Sequence, residues 1–488
     1  MKRLAVGVAV CGAAFAAAYT FWSPAAAAPE QPVRAATWAD VKPIFAEHCV
    51  SCHTVGGVAP FPLTTAKDAH AYAQSILAAT QLGVMPPWPP GRDSPAFVGA
   101  DHRLLTPGEK ATIRSWVASG ARVGSGESIS VPPATGGAAP GRLLTLAPVA
   151  AYKPHTTSGS TDDYHCFLLD PHLTQDAFVT SASVQPQQRN EVHHVILFEV
   201  TGSGVAEAQQ LNTASNGHGW TCFGGPEVTD GTVTADRLGS PQWIAAWVPG
   251  HMTNDLPSGT GVLMHAGSVV VMQEHYNLLH GARSDRSTVS LRLVDAANAN
   301  LIPLDTLLYP APVELPCPRG VHAALCSRTT ALADEQRKYG AEAAFIPSVL
   351  LQLCRKTLAD YPTNVGDASR VTTSCDRRVT RPLRIYGVAG HMHLRGVDIE
   401  LELNPGTPSA QVLLHIPGWN FHWQDVYYLE QPIDANPGDT IRVSCRYDNS
   451  RAKQPFIRNK QLAPRYVLWG EGTTDEMCLG AIQAATRN

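Results

Sequence analysis

Apolar residues recur at helical spacing in two stretches near the N-terminus. In "TWADVKPIFAEHC", Trp38, Val41, Ile44 and Phe45 fall on one face behind Thr37, an N-cap residue, which predicts a helix ending near Cys49. In "TPGEKATIRSWVASG", Thr106 and Glu109 form a capping box, Pro107 takes the first helical position and Gly120 marks the stop. Beyond residue 141 the period changes. Short β-branched runs such as "HHVILFEV", "GSVVVMQEHYNL", "DIELELN", "AQVLLHI" and "DTIRVSCRY" are punctuated by Gly, Pro and Asn, a pattern of antiparallel β-sandwiches. One segment within them, "TTALADEQRKYGAEAAFIPSVLLQLCRKTLAD", reads as a helical insertion at about 320–375. The expected fold class is therefore multidomain. A small all-α domain (36–123) is followed by a Gly/Pro/Ser-rich linker (124–142) and two all-β sandwich domains (143–297 and 298–488).

The length of 488 residues suits about three domains. A net charge of -4 with 44% hydrophobic residues excludes a disordered chain and argues against a nucleic-acid partner. Lys2 and Arg3 precede an apolar run from Leu4 to Trp22, and small residues follow at Ala25 to Ala28, so 1–28 reads as a signal peptide. The expected location is periplasmic or secreted, with membrane attachment only if that segment stays uncleaved. Apart from Cys11 in the signal segment there are ten cysteines, and an exported protein uses these for heme attachment or disulfides.

Two of the ten belong to "CVSCH". Here Cys49 and Cys52 would bond the heme vinyl groups and His53 would become the proximal iron ligand. With the flanking helices, residues 36–123 resemble a small class I cytochrome c carrying one covalent heme c. Met85, in the proline-rich "GVMPPWPPG", is the expected sixth ligand, with His70 and His102 as competitors. The other eight cysteines, an even number, are compatible with four bridges.

"VAGHMHLRG" spaces two imidazoles so that on a strand His391 and His393 face one point while Met392 faces away into the core. Such a pair suits copper or zinc. His193 and His194 are adjacent, so for both to meet one metal they need a strand end or a bulge. His275 sits in a similarly apolar run. The motifs "HHVILFE", "QEHYN", "GHMH" and "GEGTTDEMC", with "DDYHCFLL" before them, occur in the order found in the type II copper monooxygenases, the peptidylglycine α-hydroxylating and dopamine β-monooxygenase family. The resemblance covers about 145–488, apart from the helical insertion. It implies two jelly-roll-like domains and two separate mononuclear copper ions. One copper, the electron relay, would be held by His193, His194 and His275. The other, where dioxygen binds and a C–H bond is broken, would be held by His391, His393 and Met477. It also implies a bridge between Cys445 and Cys478 beside the methionine ligand.

The chain departs from the family where peptide-amidating enzymes anchor their substrate. Ala389, Leu479 and Ala481 stand at the positions of an arginine, an asparagine and a tyrosine. A buried carboxylate needs charged or multiple donors, so a smaller or more apolar substrate is expected. The expected activity is a copper- and dioxygen-dependent monooxygenase acting on a small organic molecule. Its electrons come from an external one-electron donor, ascorbate or a redox protein, through its own heme. The heme unit is expected to swing on the linker to the His193/His194/His275 copper. The competing reading is a non-catalytic heme and copper electron-transfer protein.

Overall fold

The computed structural model describes residues 35–487 apart from 56–58, 125–127, 131–138, 157–160, 229–240, 249–253, 367–369 and 458. The signal segment, most of the linker and part of the stretch before Asn254 thus lie outside the described residues. Among the described residues no helix is long and apolar enough to cross a membrane.

The first unit holds α1 (Trp38–His48), α2 (Ala66–Ala71), α3 (Ala73–Gln81), α4 (Ala100–Arg103) and α5 (Pro107–Ala118). The Asp40 carboxylate accepts from the Thr37 backbone N–H at 2.7 Å, closing the first turn of α1. Trp38, Val41, Ile44 and Phe45 are the residues α1 buries. Trp38, Phe45 and Trp116 pack with ring centroids 5.7 to 6.3 Å apart, joining α1 to α5. Ile129 is also buried in this core, and its N–H donates to Thr64 O at 2.7 Å. The chain therefore stays with the helical unit beyond Gly124, where the linker was expected to begin.

Eleven strands form the first sandwich: β1 (Arg142–Leu146), β2 (Asp162–Leu169), β3 (Ala177–Gln185), β4 (Val192–Val200), β5 (Trp220–Thr221), β6 (Gln242–Trp247), β7 (Asn254–Asp255), β8 (Thr260–Met264), β9 (Val269–Asn277), β10 (Thr288–Asp295) and β11 (Ile302–Pro303). One sheet runs β1-β10-β3-β8-β11 with β7 beside β3, and the other runs β5-β2-β9-β4-β6. Alternate residues such as Val179, Leu197, Met272 and Leu291 meet between them. Helix α6 (Gly202–Ala214) follows β4. Because β11 pairs with β8, this sheet runs past residue 297, the expected end of the first sandwich.

The second sandwich begins with β12 (Asp305–Pro310) and β13 (Glu314–Leu315), then α7 (Arg328–Tyr339) and α8 (Ala341–Leu353). It continues with β14 (Val371–Arg378), β15 (Leu383–His391), β16 (Gly396–Leu403), β17 (Gln411–Ile416), β18 (Val426–Ala435), β19 (Thr440–Tyr447), β20 (Phe456–Ile457), β21 (Lys460–Gln461), β22 (Val467–Leu468) and β23 (Leu479–Thr486). Its sheets are β12-β23-β15-β18 and β14-β19-β16-β17, closing over Val388, Leu401, Val443 and Ile482. The helical insertion is shorter than the apolar pattern suggested, because 371–378 is already strand. Its buried alternation, at Val371, Thr373 and Cys375, pairs with β19.

The eight remaining cysteines form Cys166–Cys222, Cys317–Cys326, Cys354–Cys375 and Cys445–Cys478. Cys354 caps α8 and Cys375 lies on β14, so the insertion is fastened to the sandwich.

The helical unit does not hang free. Phe97 is buried in the core of the second sandwich, 5.4 Å from the Tyr427 ring, and Trp88 meets Tyr427 at 5.7 Å. Backbone bonds run from Gly91 N to His415 O (2.7 Å), Val98 N to Tyr428 O (2.8 Å) and Glu430 N to Ala96 O (3.0 Å). The expected swinging unit is thus replaced by one docked through residues 88–103. An apolar anchor and paired backbone groups outweigh the freedom of a coil.

Candidate metal centre

The sheet that carries β4 and β9 slips by one residue between Val192 and His194. His193 is the extra residue of this bulge, and the slip turns two adjacent side chains toward one point. His194 pairs across the ladder with His275. The His193 Nδ1 to His194 Nδ1 and His275 Nδ1 to His194 Nδ1 distances are both 3.3 Å. The three ligand atoms lie within 4.8 Å of one another. Two nitrogens ~2.0–2.1 Å from one ion and roughly 105° apart sit about 3.3 Å from each other, so the donor set fits a single metal ion. Burial, and then the neighbouring imidazoles, hold His193 and His194 well below the ordinary histidine range, so their lone pairs are free to bind.

Behind this set stands Asp162. His275 donates from Nε2 to Asp162 Oδ1 at 2.9 Å, which leaves Nδ1 as the ligand atom. Burial acts to raise the Asp162 carboxyl, yet the His275 and Thr473 hydrogen bonds hold it below its usual range. Tyr164 stacks on His275 with centroids 4.2 Å apart and 10° between planes. Asp162 and Tyr164 belong to "DDYHCFLL", where two adjacent acids open an apolar strand. That oddity was the available signal for a partner behind a ligand.

His391 ends β15, and His393 lies two residues beyond it. Their rings are 5.0 Å apart at 83°. His391 donates from Nδ1 to Gln424 Oε1 at 2.5 Å, and Gln424 donates to Phe421 O at 2.8 Å, which fixes the amide. His393 Nδ1 meets Asp475 O at 3.3 Å, and its backbone N–H donates to Glu476 Oε2 at 2.8 Å. Both rings therefore present Nε2. Burial takes His391 down to about 4 and His393 well below its ordinary range. Met477 is buried and lines the same cavity as His391, His393 and His194. Met392 points away and is fully buried in the core. Gln424 had no signal in the sequence, since a lone Gln 33 residues from its partner belongs to no motif.

One loop serves both sets. Thr473 donates to Asp162 Oδ1 at 2.5 Å, Asp475 and Glu476 hold His393, and Met477 follows directly. The sets are close: the His194 and His391 rings are 6.5 Å apart, and Phe421 stacks on His193 at 4.5 Å and touches His393 at 5.7 Å. A cavity of about 850 Å³ lies against them, walled by β4 and β6 of the first sandwich and by β12, β15, β23 and α8 of the second. Ala389, Leu479 and Ala481 all line it.

Among the described residues, Cys49 and Cys52 of the helical unit are the two cysteines outside the disulfides. They sit on the turn ending α1, with Cys52 N–H and His53 N–H both donating to Cys49 O, at 3.2 and 2.9 Å. Burial pushes the Cys49 thiol up to about 12, and Cys52 adds to this. His53 bonds Phe61 O through Nδ1 at 3.0 Å, leaving Nε2 as a ligand atom. Met85 stands half-buried after α3, with a cis peptide to Pro86. His70 is engaged elsewhere, with Ala121 O at 2.8 Å. The His102 side chain lies outside what the structure describes. Arg103 pairs with Asp425 at 2.8 Å, beside Gln424. Burial raises the Cys52 thiol, and the charges of Arg103 and Asp425 also bear on it.

Residues 362–483 match the family model of the C-terminal domain of copper type II ascorbate-dependent monooxygenases. DBH-like monooxygenase protein 1 of Gallus gallus is 22% identical over 306 residues, covering 61% of this chain and 39% of that protein. The chain thus spans well under half the length of that relative. Among solved structures, the infectious bursal disease virus VP2 subviral particle is 9% identical, covering 73% of this chain and 74% of that one, at a TM-score of 0.16. Allantoicase is also 9% identical, covering 68% and 91%, at 0.16. At such scores the likeness carries no argument. The matched stretch contains His391, His393 and Met477, so the second ligand set lies in the part of the chain that is similar to the C-terminal domain of these copper monooxygenases.

Proposed function

We propose that the chain is an exported copper- and dioxygen-dependent monooxygenase that hydroxylates a small organic substrate. The observation that carries this reading is the pair of unlike ligand sets beside one cavity. His193, His194 and His275 would hold one copper, and His391, His393 and Met477 the other. Copper supplies one-electron redox chemistry, and the softer set, with its thioether, favours the reduced ion that reacts with dioxygen. A substrate C–H bond, dioxygen, two electrons and two protons give C–OH and water. The residues' own part is positional. Asp162 and Gln424 orient one imidazole in each set, Met477 and His391 face the substrate space, and the cavity wall keeps water from the reacting carbon.

The unpaired Cys49 and Cys52 and the oriented His53 fit a covalent heme c, with Met85 as sixth ligand. Such a heme supplies one electron at a time from an external donor, ascorbate or a redox protein. The contact through Arg103, Asp425 and Gln424 supports electron entry beside His391, a revision of the route first expected to the His193/His194/His275 set. Four disulfides support an oxidising compartment. Metal analysis of the loaded protein is expected to return two coppers and one heme per chain, with dioxygen uptake that requires substrate. Zinc in place of copper would sink this reading. Two coppers with no substrate-dependent uptake would leave an electron-transfer protein.

A further inference from the structure

The seam between the helical unit and the second sandwich holds a side chain that the metal centre does not use. His415 lies on β17, the edge strand of its sheet. The helical unit grips its backbone in both directions. Gly91 N–H donates to His415 O at 2.7 Å, and His415 N–H donates to Ser94 Oγ at 2.9 Å. The ring is held as well. Its Nδ1 lies 2.6 Å from Asp93 Oδ2 of the helical unit, and its Nε2 lies 3.2 Å from Asp398 Oδ2 on β16.

Two ring nitrogens that each face a carboxylate can both donate only when the ring carries both protons. A neutral imidazole has one N–H, so its other nitrogen would turn a lone pair toward a carboxylate. The surroundings sharpen this demand. Glu400 stands opposite His415 in the ladder, on the same face of β16 as Asp398. Its carboxylate, that of Asp93 and a ring nitrogen of His415 lie within 4.8 Å of one another. Three acids thus gather around one imidazole. Arg446 offsets part of that charge by donating to Asp398 at 2.6 Å. Burial acts to lower His415, yet the bonds to Asp93 and Asp398 hold it above its ordinary range.

We propose that His415 is a proton-operated clasp: as the imidazolium it ties residues 91–94 to β17, and on losing a proton it lets them loosen from the sandwich. Because docking raises the affinity of the ring for its proton, the clasp is fully closed below the ordinary 6.5. It opens as pH rises through the higher value of the docked state. Phe97 stays buried on either side of that change, so the helical unit is slackened and not shed. The clasp stands on the seam alone and holds whatever chemistry the two ligand sets perform.

The test uses the full chain without copper. With histidine labelled at Cε1, nuclear magnetic resonance should show one signal that His415→Gln removes and that titrates above pH 6.5. Trypsin cleavage after the exposed Arg92 reads the loop itself. Its rate is divided by the rate for a synthetic peptide of residues 86–99 at the same pH. That ratio should rise about tenfold from pH 6.5 to pH 9, as loss of one hydrogen bond to a charged group would give. In His415→Gln, which takes up no proton, the ratio should be the same at both values. If this variant loses its melting transition, Asp93→Asn takes its place, and it should lower the midpoint of one histidine signal and flatten the rise in cleavage. The proposal is overturned if His415 titrates at or below pH 6.5, if the wild-type ratio is flat, or if the rise survives the substitutions.

Discussion

The His193/His194/His275 set presents three Nδ1 atoms and has a buried carboxylate behind one of them. The His391/His393/Met477 set presents two Nε2 atoms into the cavity that Met477 also lines, and has an amide and a backbone carbonyl behind it. The first sits on the ladder of one sheet, held at a bulge. The second straddles a strand end and a distant loop. A carboxylate behind an imidazole raises its basicity and suits an ion that changes charge while staying bound. Neutral partners and a soft sulfur suit an ion that must stay reduced until dioxygen arrives. Under the proposed function the same side chain would serve two tasks because the atoms behind it differ.

The sharpest way to break this comparison is Met477→Ala. Turnover should fall roughly 100-fold or more, exceeding what loss of a partner behind a ligand does, while the first set keeps its copper. Dioxygen uptake and copper stoichiometry measure both halves, and wild-type uptake would show the thioether to be irrelevant. Asp162→Asn should act on the other side, weakening copper at the first set about 10–100-fold. Competition with a copper chelator reads it, and an equal loss at both sets would erase the distinction. Thr473→Val is subtler. It lies on the second sandwich, yet it should weaken copper at the first set about tenfold through Asp162. An unchanged first set would mean that the shared loop does not couple them.

The smallest effect concerns pH. Burial, and then Asp475, lift the Glu471 carboxyl from its ordinary 4.5 to about 8. The folded state therefore holds a proton that the unfolded chain releases. Its contribution to stability is fully present below pH 4.5 and is lost as pH rises through about 8. Denaturant midpoints of the copper-free protein should fall from about pH 5 to about pH 9. In Glu471→Gln that fall should be shallower, and an identical slope would remove Glu471 as a cause.

Local chemistry was legible in the sequence. Thr37 and Thr106 begin α1 and α5 because caps and apolar spacing act within a few residues. "HHVILFE" and "GHMH" stand out because side chains that converge on one point need short spacings, as His193, His194 and His275 do across the β4–β9 ladder. What remained hidden depends on residues far apart in the chain. The Phe97 anchor in the second sandwich, the Gln424 brace and the α8 wall all arise from tertiary contacts, and no periodicity records those. Ile302–Pro303 was missed for another reason, since a two-residue parallel pairing leaves no alternation to read. The end of the insertion was misjudged because buried Cys375 and Val371 are as apolar as the helix before them.

The bulge at His193 has a consequence for how this site can be inherited. It is encoded by a count as well as by letters. Deleting His193, the one residue between Val192 and His194, would restore a regular alternation across the ladder. Substitutions can erode such a centre gradually, but a single-codon deletion in this stretch abolishes it at once. Lineages that keep the activity should therefore vary freely in spelling around His193 and hardly at all in length.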